Sequence, residues 1–286
     1  MSRGLGDVYK RQFLRRHGYS RHIITGLKRT EDGIFRNGVR AWTSQAVHAG
    51  DVIETHLVET EPSDGILPRP VPFSVVYEDD DILVVDKPAD TPIHPSIGNY
   101  ENTLANGIAW YFEQKGEPFV YRCINRLDRD TTGLIVLAKH ALSAAVLSQA
   151  MRSREIHRTY QAFALGETAA SGTIDAPIAR LDGSLIQRTV DFASGERSVT
   201  HYRTLAHCSV FSHLELNLET GRTHQIRVHM AYIGHPLLGD TLYNKTPGTF
   251  PRQALHSASL SFVHPITGEP LNFHAPLPED MQNLLT

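Results

Sequence analysis

The pattern of apolar and polar positions along the chain predicts two structural units separated by a proline-rich segment. The second unit, residues 73–286, contains apolar runs of strand length and stretches with helical spacing. Residues 134–137 are continuously apolar, which indicates a strand buried on both faces. Strands and helices do not alternate regularly, so this unit is predicted to be α+β, with a largely antiparallel mixed sheet flanked by helices.

The individual elements of the second unit follow from the same pattern. Strands are predicted at residues 74–77, 82–85, 134–137, 159–165, 198–204, 211–218 and 260–263. Helices are predicted after residue 102, at 141–151 and at 224–233, the last ending at Gly234.

The first unit, residues 13–61, is short and contains one helix and a hairpin. Three apolar residues recur at helical spacing behind Ser20, a residue type favoured at helix N-termini; they are Ile23, Ile24 and Leu27. Asn37-Gly38 then separates two short strand-like runs, which is a strong hairpin signal. We therefore predict a small N-terminal α/β unit.

Two segments lie outside these units. Residues 7–12 resemble the translation of a sequencing adaptor, so residues 1–12 are predicted to be non-native and are excluded from the fold. Residues 62–72 contain four prolines, which remove backbone donors and stiffen the chain. This segment is predicted to be a semi-rigid linker.

Composition narrows the class of protein. The 286 residues are 41% apolar and 21% charged, as in soluble globular proteins. Two cysteines without a CxxC pair argue against a zinc module and against a disulfide scaffold. No apolar run reaches the length of a membrane span, and no signal peptide is visible. We expect a cytoplasmic protein with no membrane association.

The net charge of −3 does not itself favour nucleic acid, but the distribution of charge is uneven. Seven basic residues lie between positions 13 and 40, opposed by only two acidic ones. They are Arg15, Arg16, Arg21, Lys28, Arg29, Arg36 and Arg40. A local basic face of this kind binds phosphates even on an acidic protein. A solvated helix face is the alternative interpretation.

The first candidate chemical motif is Asn-Arg-Leu-Asp-Arg-Asp-Thr-Thr-Gly at residues 125–133, which leads directly into an apolar strand. If the segment is extended, the side chains of Arg126, Asp128 and Asp130 share one side. An ordinary charged turn is the alternative. The motif also superficially fits the Asp-x-Asp-x-Thr of aspartyl-phosphate phosphatases, but those need an apolar strand before the first aspartate.

The second motif is Gly-Arg-Thr-His-Gln-Ile-Arg-Val-His at residues 221–229. Arg222 and Arg227 are spaced to lie on different faces of a helix, so that one can meet a buried carboxylate and the other solvent or phosphate. His224 and His229 are five residues apart, which does not place two ligands on one helical face. We interpret both as surface or satisfied core histidines, and we predict no metal site.

Both motifs resemble those of the RluA family of pseudouridine synthases. The segments 84–88, 158–160 and 264–268 also fall in the order of that family, and the resemblance spans about residues 73–278. The chain departs from the usual family pattern at Asn125, where histidine is common, and at Asp90, where glycine is usual. The first unit resembles the RNA-binding module of ribosomal protein S-four, which grips structured RNA through phosphates.

The resemblance implies isomerisation of uridine to pseudouridine in a structured ribosomal or transfer RNA, without a cofactor. It makes Asp128 the essential catalytic carboxylate, Arg227 its ion-pair partner, and Tyr160 the tyrosine of the active site. An arginine within ion-pair range of an aspartate favours the ionised form of the carboxylate. The substrate-binding residues that it implies are Arg126, Arg129, Arg222 and Ile226. A monomer is expected, and a non-catalytic RNA-binding or assembly protein is the remaining alternative.

Overall fold

A computed structural model describes residues 8–57 and 63–285. The small N-terminal unit consists of β1 (Val8–Tyr9), α1 (Lys10–Arg16), α2 (Arg21–Arg29), β2 (Ile34–Arg36), β3 (Val39–Arg40), β4 (Ala46–Val47) and β5 (Ile53–Thr55). β1 pairs with β4, and β2 lies between β3 and β5 in an antiparallel three-stranded sheet.

Both local predictions for this unit are confirmed. The Ser20 hydroxyl accepts the backbone N–H of Ile23 at 3.2 Å, and this cap starts α2. Asn37 and Gly38 have φ of 52° and 74°, the left-handed conformations that a tight hairpin turn between β2 and β3 requires.

The unit begins earlier than residue 13, because α1 starts at Lys10. The side chain of Lys10 is buried, and its ammonium group donates to Gln45 Oε1 at 2.7 Å. Residues 8–12 are therefore part of the packed unit, whereas residues 1–7 lie outside the described residues. The non-native origin of residues 1–12 stays a prediction.

The larger unit contains the remaining elements. They are β6 (Ser74–Glu78), β7 (Ile82–Lys87), α3 (Leu104–Lys115), β8 (Thr132–Ala138), α4 (Ala141–Arg152), β9 (His157–Leu165), β10 (Ser171–Asp175), β11 (Ile178–Arg180), β12 (Arg188–Val190), β13 (Val199–His207), β14 (Phe211–Leu218), α5 (Gln225–Tyr232), β15 (Leu255–Val263), β16 (Pro270–His274) and α6 (Glu279–Gln282). None of the described helices has the length and apolarity needed to cross a bilayer.

Nine strands of this unit form one sheet in the order β10-β13-β14-β9-β15-β8-β7-β6, with β16 paired to the second half of β15. The only parallel pair in it joins β15 and β8. The predicted α+β class with a largely antiparallel mixed sheet is therefore confirmed.

The central strands are buried on both faces, as the continuous apolar runs predict. Leu83 and Ile135 contribute to a core with α3 and α5, while Val84 and Leu134 point the opposite way into a core with α4. Side chains alternate across a strand, so one apolar run supplies both cores. The β8 strand thereby becomes a rigid base for the polar loop before it.

The two units are in contact through α4. The apolar core of the small unit consists of Leu14, Ile23, Ile24, Leu27, Ile34 and Ala41. Ala141 and Ala145 of α4 pack against it. The predicted linker is also attached to the larger unit, since the Asn106 amide in α3 donates to Leu67 O at 2.8 Å. The described part of the linker is thus docked rather than free.

Gly133 fixes how the segment of residues 125–132 enters β8. Its φ of 113° is a conformation that residues with a side chain rarely adopt. A Cβ at this position would overlap the backbone of Ser257 in β15. Glycine is therefore required where β8 and β15 meet, directly after residues 125–132.

Candidate active site

The loop that carries Asp128 is held by a backbone turn on one side and by the buried side chain of Asn125 on the other. Thr131 N–H donates to Asp128 O at 3.1 Å, which makes a turn directly before β8. The Asn125 amide donates to Leu134 O at 3.1 Å and accepts Val136 N–H at 2.9 Å. Asparagine at the family's histidine position therefore still makes hydrogen bonds that tie the loop to the strand.

Lys87, at the end of β7, also holds the loop that carries Asp128. Its ammonium group is fully buried and donates to Arg129 O at 2.7 Å, Thr91 O at 2.9 Å and Pro88 O at 2.8 Å. Burial lowers the pKa of Lys87 to about 7, against the opposing charges of Asp130 and Asp128. The carbonyl acceptors use all three N–H bonds of the charged form.

The Asp128 carboxylate is paired with Arg227 in α5. Arg227 Nη1 donates to Asp128 Oδ2 at 3.0 Å. The other side of the guanidinium makes a two-pronged contact with Asp240, from Nε to Oδ2 at 2.7 Å and from Nη2 to Oδ1 at 2.8 Å. Arg227 and Asp240 are 5% and 0% exposed, so this pair is inside the protein.

The charges around Arg227 outweigh its burial. Burial by itself would lower the pKa of Arg227, but the hydrogen bonds to Asp240 and the charge of Asp128 raise it above its ordinary value. The guanidinium therefore presents a fixed positive charge to Asp128. Asp240 is in turn held by the backbone N–H groups of Leu242 and Tyr243, at 3.1 and 3.3 Å.

Asp128, Tyr160 and Arg227 line one pocket, together with Ile226 and Leu255. Tyr160 is in β9, where it pairs with Leu216 of β14 and Ser257 of β15, and it is 4% exposed. The structure thus brings together residues that are 32 and 67 positions apart along the chain. Their roles in catalysis stay a prediction.

This pocket adjoins a wide cleft of about 970 Å³, and the two share Arg126, Asp128 and Arg222. The walls of the cleft carry an excess of positive charge, because five arginines line it against the two carboxylates of Asp128 and Glu219; the arginines are Arg126, Arg152, Arg154, Arg158 and Arg222. A concentrated positive wall of this kind suits a polyanion and explains how a chain of net charge −3 can bind one.

Arg158 stands out among these arginines. Within the described residues, its Nε is the buried side-chain polar atom without a hydrogen-bond partner. It lies against Gly221, where an added Cβ would be 3.4 Å from Nη2. Arg222, by contrast, is engaged with Glu196 and with the backbone carbonyl of Arg197.

The predicted substrate-binding residue Arg129 lies outside the cleft. The guanidinium of Arg129 is paired with Asp130 and Asp90, and Arg129 is absent from the walls of both the cleft and the pocket. The expectation that Arg126, Asp128 and Asp130 share one side is wrong for Asp130. The turn between Asp128 and Thr131 ends the extended conformation on which that expectation depended.

Asp90 has φ of 51°, the left-handed conformation for which the family commonly uses glycine. Aspartate visits this conformation more readily than most residues. The turn therefore keeps its geometry, and Thr91 N–H donates to Arg129 O at 3.1 Å behind it.

His224 and Tyr243 also belong to the site, although the motifs did not predict a role for either. His224 is the N-cap of α5, with φ of 58°, and lines the pocket of Asp128. Its Nε2 is 3.9 Å from Asp128 Oδ2, and its Nδ1 is 2.7 Å from the Tyr243 hydroxyl. A sequence signal existed for His224, which lies within the second motif, but none for Tyr243.

A group with metal-ligand geometry lies outside the cleft. Asp79, Asp81 and His264 bring ligand atoms within 4.8 Å of one another. His264 Nδ1 accepts two backbone N–H groups, and its Nε2 is 3.0 Å from Asp79 Oδ2. Asp79 also accepts from the Tyr77 hydroxyl at 2.7 Å. These bonds already satisfy the group, which ties the β6–β7 turn to the turn before β16.

Comparison with known proteins gives consistent results. A family model described as RNA pseudouridylate synthase matches residues 81–232. A Bacillus subtilis (strain 168) protein named "Uncharacterized RNA pseudouridine synthase YjbO" is 40% identical over 269 residues, covering 94% of this chain and 95% of the relative. Ribosomal large subunit pseudouridine synthase D of Vibrio cholerae is 43% identical over 251 residues, covering 82% and 76%.

A solved structure gives the same result. The human protein titled RNA Pseudouridylate Synthase Domain Containing 1 superposes with a TM-score of 0.61 at 26% identity, covering 76% of this chain and 86% of that one. Neither the phosphatase nor the non-catalytic alternative is favoured by these relatives, and the apolar strand β8 follows Asp128 rather than preceding it. The chain therefore belongs to the RluA family of RNA pseudouridylate synthases and is an RNA pseudouridine synthase.

Proposed function

We propose that Asp128 is the catalytic carboxylate of this pseudouridine synthase, oriented by Arg227 and covered by Tyr160. One observation carries the proposal: Arg227 Nη1 is 3.0 Å from Asp128 Oδ2, and both residues line a pocket with Tyr160. A carboxylate held by a buried guanidinium keeps one orientation, which an attacking or proton-accepting group requires.

The reaction exchanges one bond for another within the same nucleotide. The bond between uracil N1 and ribose C1′ breaks, the base rotates, and C5 joins C1′; the proton lost from C5 is balanced by the one gained at N1. Asp128 acts on the sugar or the base while the bond is open. Tyr160 supplies an aromatic face for the detached uracil and a hydroxyl close to it.

The target nucleotide has to leave its stack before it reaches Asp128, at a cost of a few kcal/mol. Arg126 is exposed and lies at the junction of the pocket and the basic cleft, where it can fill the space left by the base. Arg222 lies on the same junction and is proposed to contact phosphate; Ile226 packs beside the base. Arg129, which lies outside the cleft, is proposed to contact phosphate there.

We propose large-subunit ribosomal RNA as the substrate, because the relative from Vibrio cholerae is named for the large ribosomal subunit. Pseudouridine mapping of total RNA, with and without the gene, is expected to show one or more large-subunit sites lost on deletion and regained with the wild-type gene. Losses confined to transfer RNA would contradict this substrate. We also propose that the protein is a cytoplasmic monomer.

The N-terminal unit, residues 13–61, is proposed to be an S-four-type RNA-binding module. Its proposed phosphate contacts are all exposed: Arg15, Arg16, Arg21, Lys28 and Arg29. Arg21 and Lys28 line a depression beside the apolar face of α2, to which the core residue Ile24 also contributes. A helix that is basic on one face and packed on the other presents its charges to RNA without losing stability.

We expect the double substitution Arg21→Ala/Lys28→Ala to raise KM for a large-subunit ribosomal RNA transcript about tenfold and to leave kcat unchanged. The slope of log Kd against log salt concentration should decrease by about two, which is about one for each phosphate contact that is lost. Arg203→Ala is the matched control, because Arg203 is an exposed cation in β13 that is paired with Glu215. A fall in kcat at unchanged KM would contradict the module's role.

A further inference from the structure

His224 has a chemically defined position between two other groups of the site. Its ring is nearly enclosed, with 11% of the side chain exposed, and each nitrogen faces a different partner. Nδ1 faces the Tyr243 hydroxyl at 2.7 Å, and Nε2 faces Asp128 Oδ2 at 3.9 Å. The proton on the ring therefore matters for Asp128.

Tyr243 determines which nitrogen carries that proton. The Tyr243 oxygen accepts the backbone N–H of Arg188, in β12, at 2.9 Å. With one acceptor position of this oxygen used by Arg188, its hydroxyl proton is available for donation to His224 Nδ1, and in that arrangement Nδ1 is unprotonated. A neutral ring with a bare Nδ1 carries its proton on Nε2, the nitrogen that faces Asp128.

The surroundings keep this ring neutral. Burial lowers the pKa of His224; Asp128 and Asp240 oppose this shift, whereas Arg227 and Arg188 add to it. The Arg227 guanidinium also lies 5.2 Å over the Tyr243 ring, so a cation packs against the partner of His224. In this arrangement a neutral ring presents its Nε2 to Asp128 Oδ2 next to the guanidinium of Arg227.

We propose that His224 is a positioning residue for Asp128, and that its Nε2–H, held in one tautomer by Tyr243, donates to Oδ2 when uridine fills the pocket. The separation of 3.9 Å is too long for a hydrogen bond without substrate. Catalytic hydrogen bonds commonly shorten only when the substrate is bound. The inference rests on the proposed role of Asp128.

The geometry explains what a second donor adds. Arg227 and His224 both approach Oδ2, which leaves Oδ1 as the oxygen that meets the substrate. Two donors on one oxygen stop rotation about the bond to the carboxyl carbon. Because His224 is neutral, it orients Asp128 without adding a second positive charge that would make the carboxylate a weaker base or nucleophile.

Tyr243→Phe tests the tautomer, because it removes only the hydroxyl. Long-range ¹H–¹⁵N spectra of the full chain at pH 7.5 should show His224 as the Nε2–H tautomer in the wild type and as a mixture in Tyr243→Phe. The ring should also titrate at higher pH in the variant, because a hydrogen bond to its neutral form is lost. A wild-type ring protonated on Nδ1, or on both nitrogens, overturns the proposal.

The kinetic test uses an unmodified large-subunit ribosomal RNA transcript. Tyr243→Phe should lower kcat about tenfold at unchanged KM, the rate equivalent of one hydrogen bond. His224→Asn keeps the left-handed backbone, since asparagine tolerates it, but its amide is too short to reach Oδ2; it should lose at least as much. His224→Gln, whose longer side chain carries its amide N–H closer to Oδ2, should recover part of the loss.

One control variant and two further outcomes separate a positioning role of His224 from other roles. Tyr232→Phe, at the exposed C-terminal end of α5, should leave kcat and KM unchanged. A raised KM at unchanged kcat in His224→Asn would assign the ring to RNA binding and overturn a positioning role. Full activity of Asp128→Asn would instead overturn the proposed function, while the tautomer measurement on His224 would still stand by itself.

Discussion

Asp128→Asn is expected to lower the rate of pseudouridine formation about 10³-fold or more while leaving the Kd for RNA within about twofold of the wild type. The substitution removes the negative charge but keeps the size of the side chain and one oxygen that can still accept from Arg227. Arg227 also keeps both of its contacts with Asp240, so the buried pair is not disturbed. Single-turnover assays and filter binding on the same transcript separate the two effects.

The matched control is Asp130→Asn, two residues further along the same loop. The Asp130 side chain is paired with Arg129 and is absent from the walls of the cleft and the pocket. We expect this variant to keep its activity within a few-fold of the wild type. Retention of more than a tenth of the activity by Asp128→Asn, or equal losses in both variants, would be incompatible with Asp128 as the catalytic carboxylate.

The elements that sequence pattern predicted best are those with a strong local signal. β14 is predicted at residues 211–218 and α4 to within one residue of its end, because three leucines alternate along β14 and apolar residues recur through α4. β10 and β16 were missed. β10 has a single buried residue, Ile174, and β16 begins with proline, so each strand exists through its pairing with a neighbour.

The candidate site residues that could be predicted are those in segments that resemble the family; the others could not be predicted. The resemblance implied Asp128, Tyr160 and Arg227, although no spacing rule could have shown that they meet. Asp240 was not found, because it lies in a loop whose sequence has no distinctive pattern. Its role depends on burial and on a guanidinium 13 residues away, which are properties of the folded chain.

The roles of Tyr243 and Lys87 also depend on contacts that form only in the folded chain. Tyr243 acts through its distance from His224, and Lys87 acts through three backbone carbonyls from two separate loops. Backbone acceptors leave no trace in a side-chain pattern. Groups that hold the loop of Asp128 are therefore less visible in the sequence than Asp128 itself.

Arg227→Leu is expected to have two separable effects, because Arg227 bridges the proposed catalytic carboxylate, Asp128, and the buried carboxylate of Asp240. It leaves Asp240, which is fully buried, without a countercharge, and breaking such a pair costs about 3–5 kcal/mol in the free energy of unfolding. It also leaves Asp128 without its orienting charge, so kcat should fall at least about 10²-fold. Urea denaturation measures the first effect and single-turnover kinetics the second.

Arg227→Leu/Asp240→Asn separates the two effects. The asparagine oxygen can still accept the N–H groups of Leu242 and Tyr243, and the double variant no longer contains an unpaired buried charge. We expect it to regain most of the lost stability but none of the lost activity, while RNA affinity stays close to that of the wild type. If activity returned together with stability, Arg227 would act only by holding the fold, and the orientation of Asp128 would have to come from elsewhere.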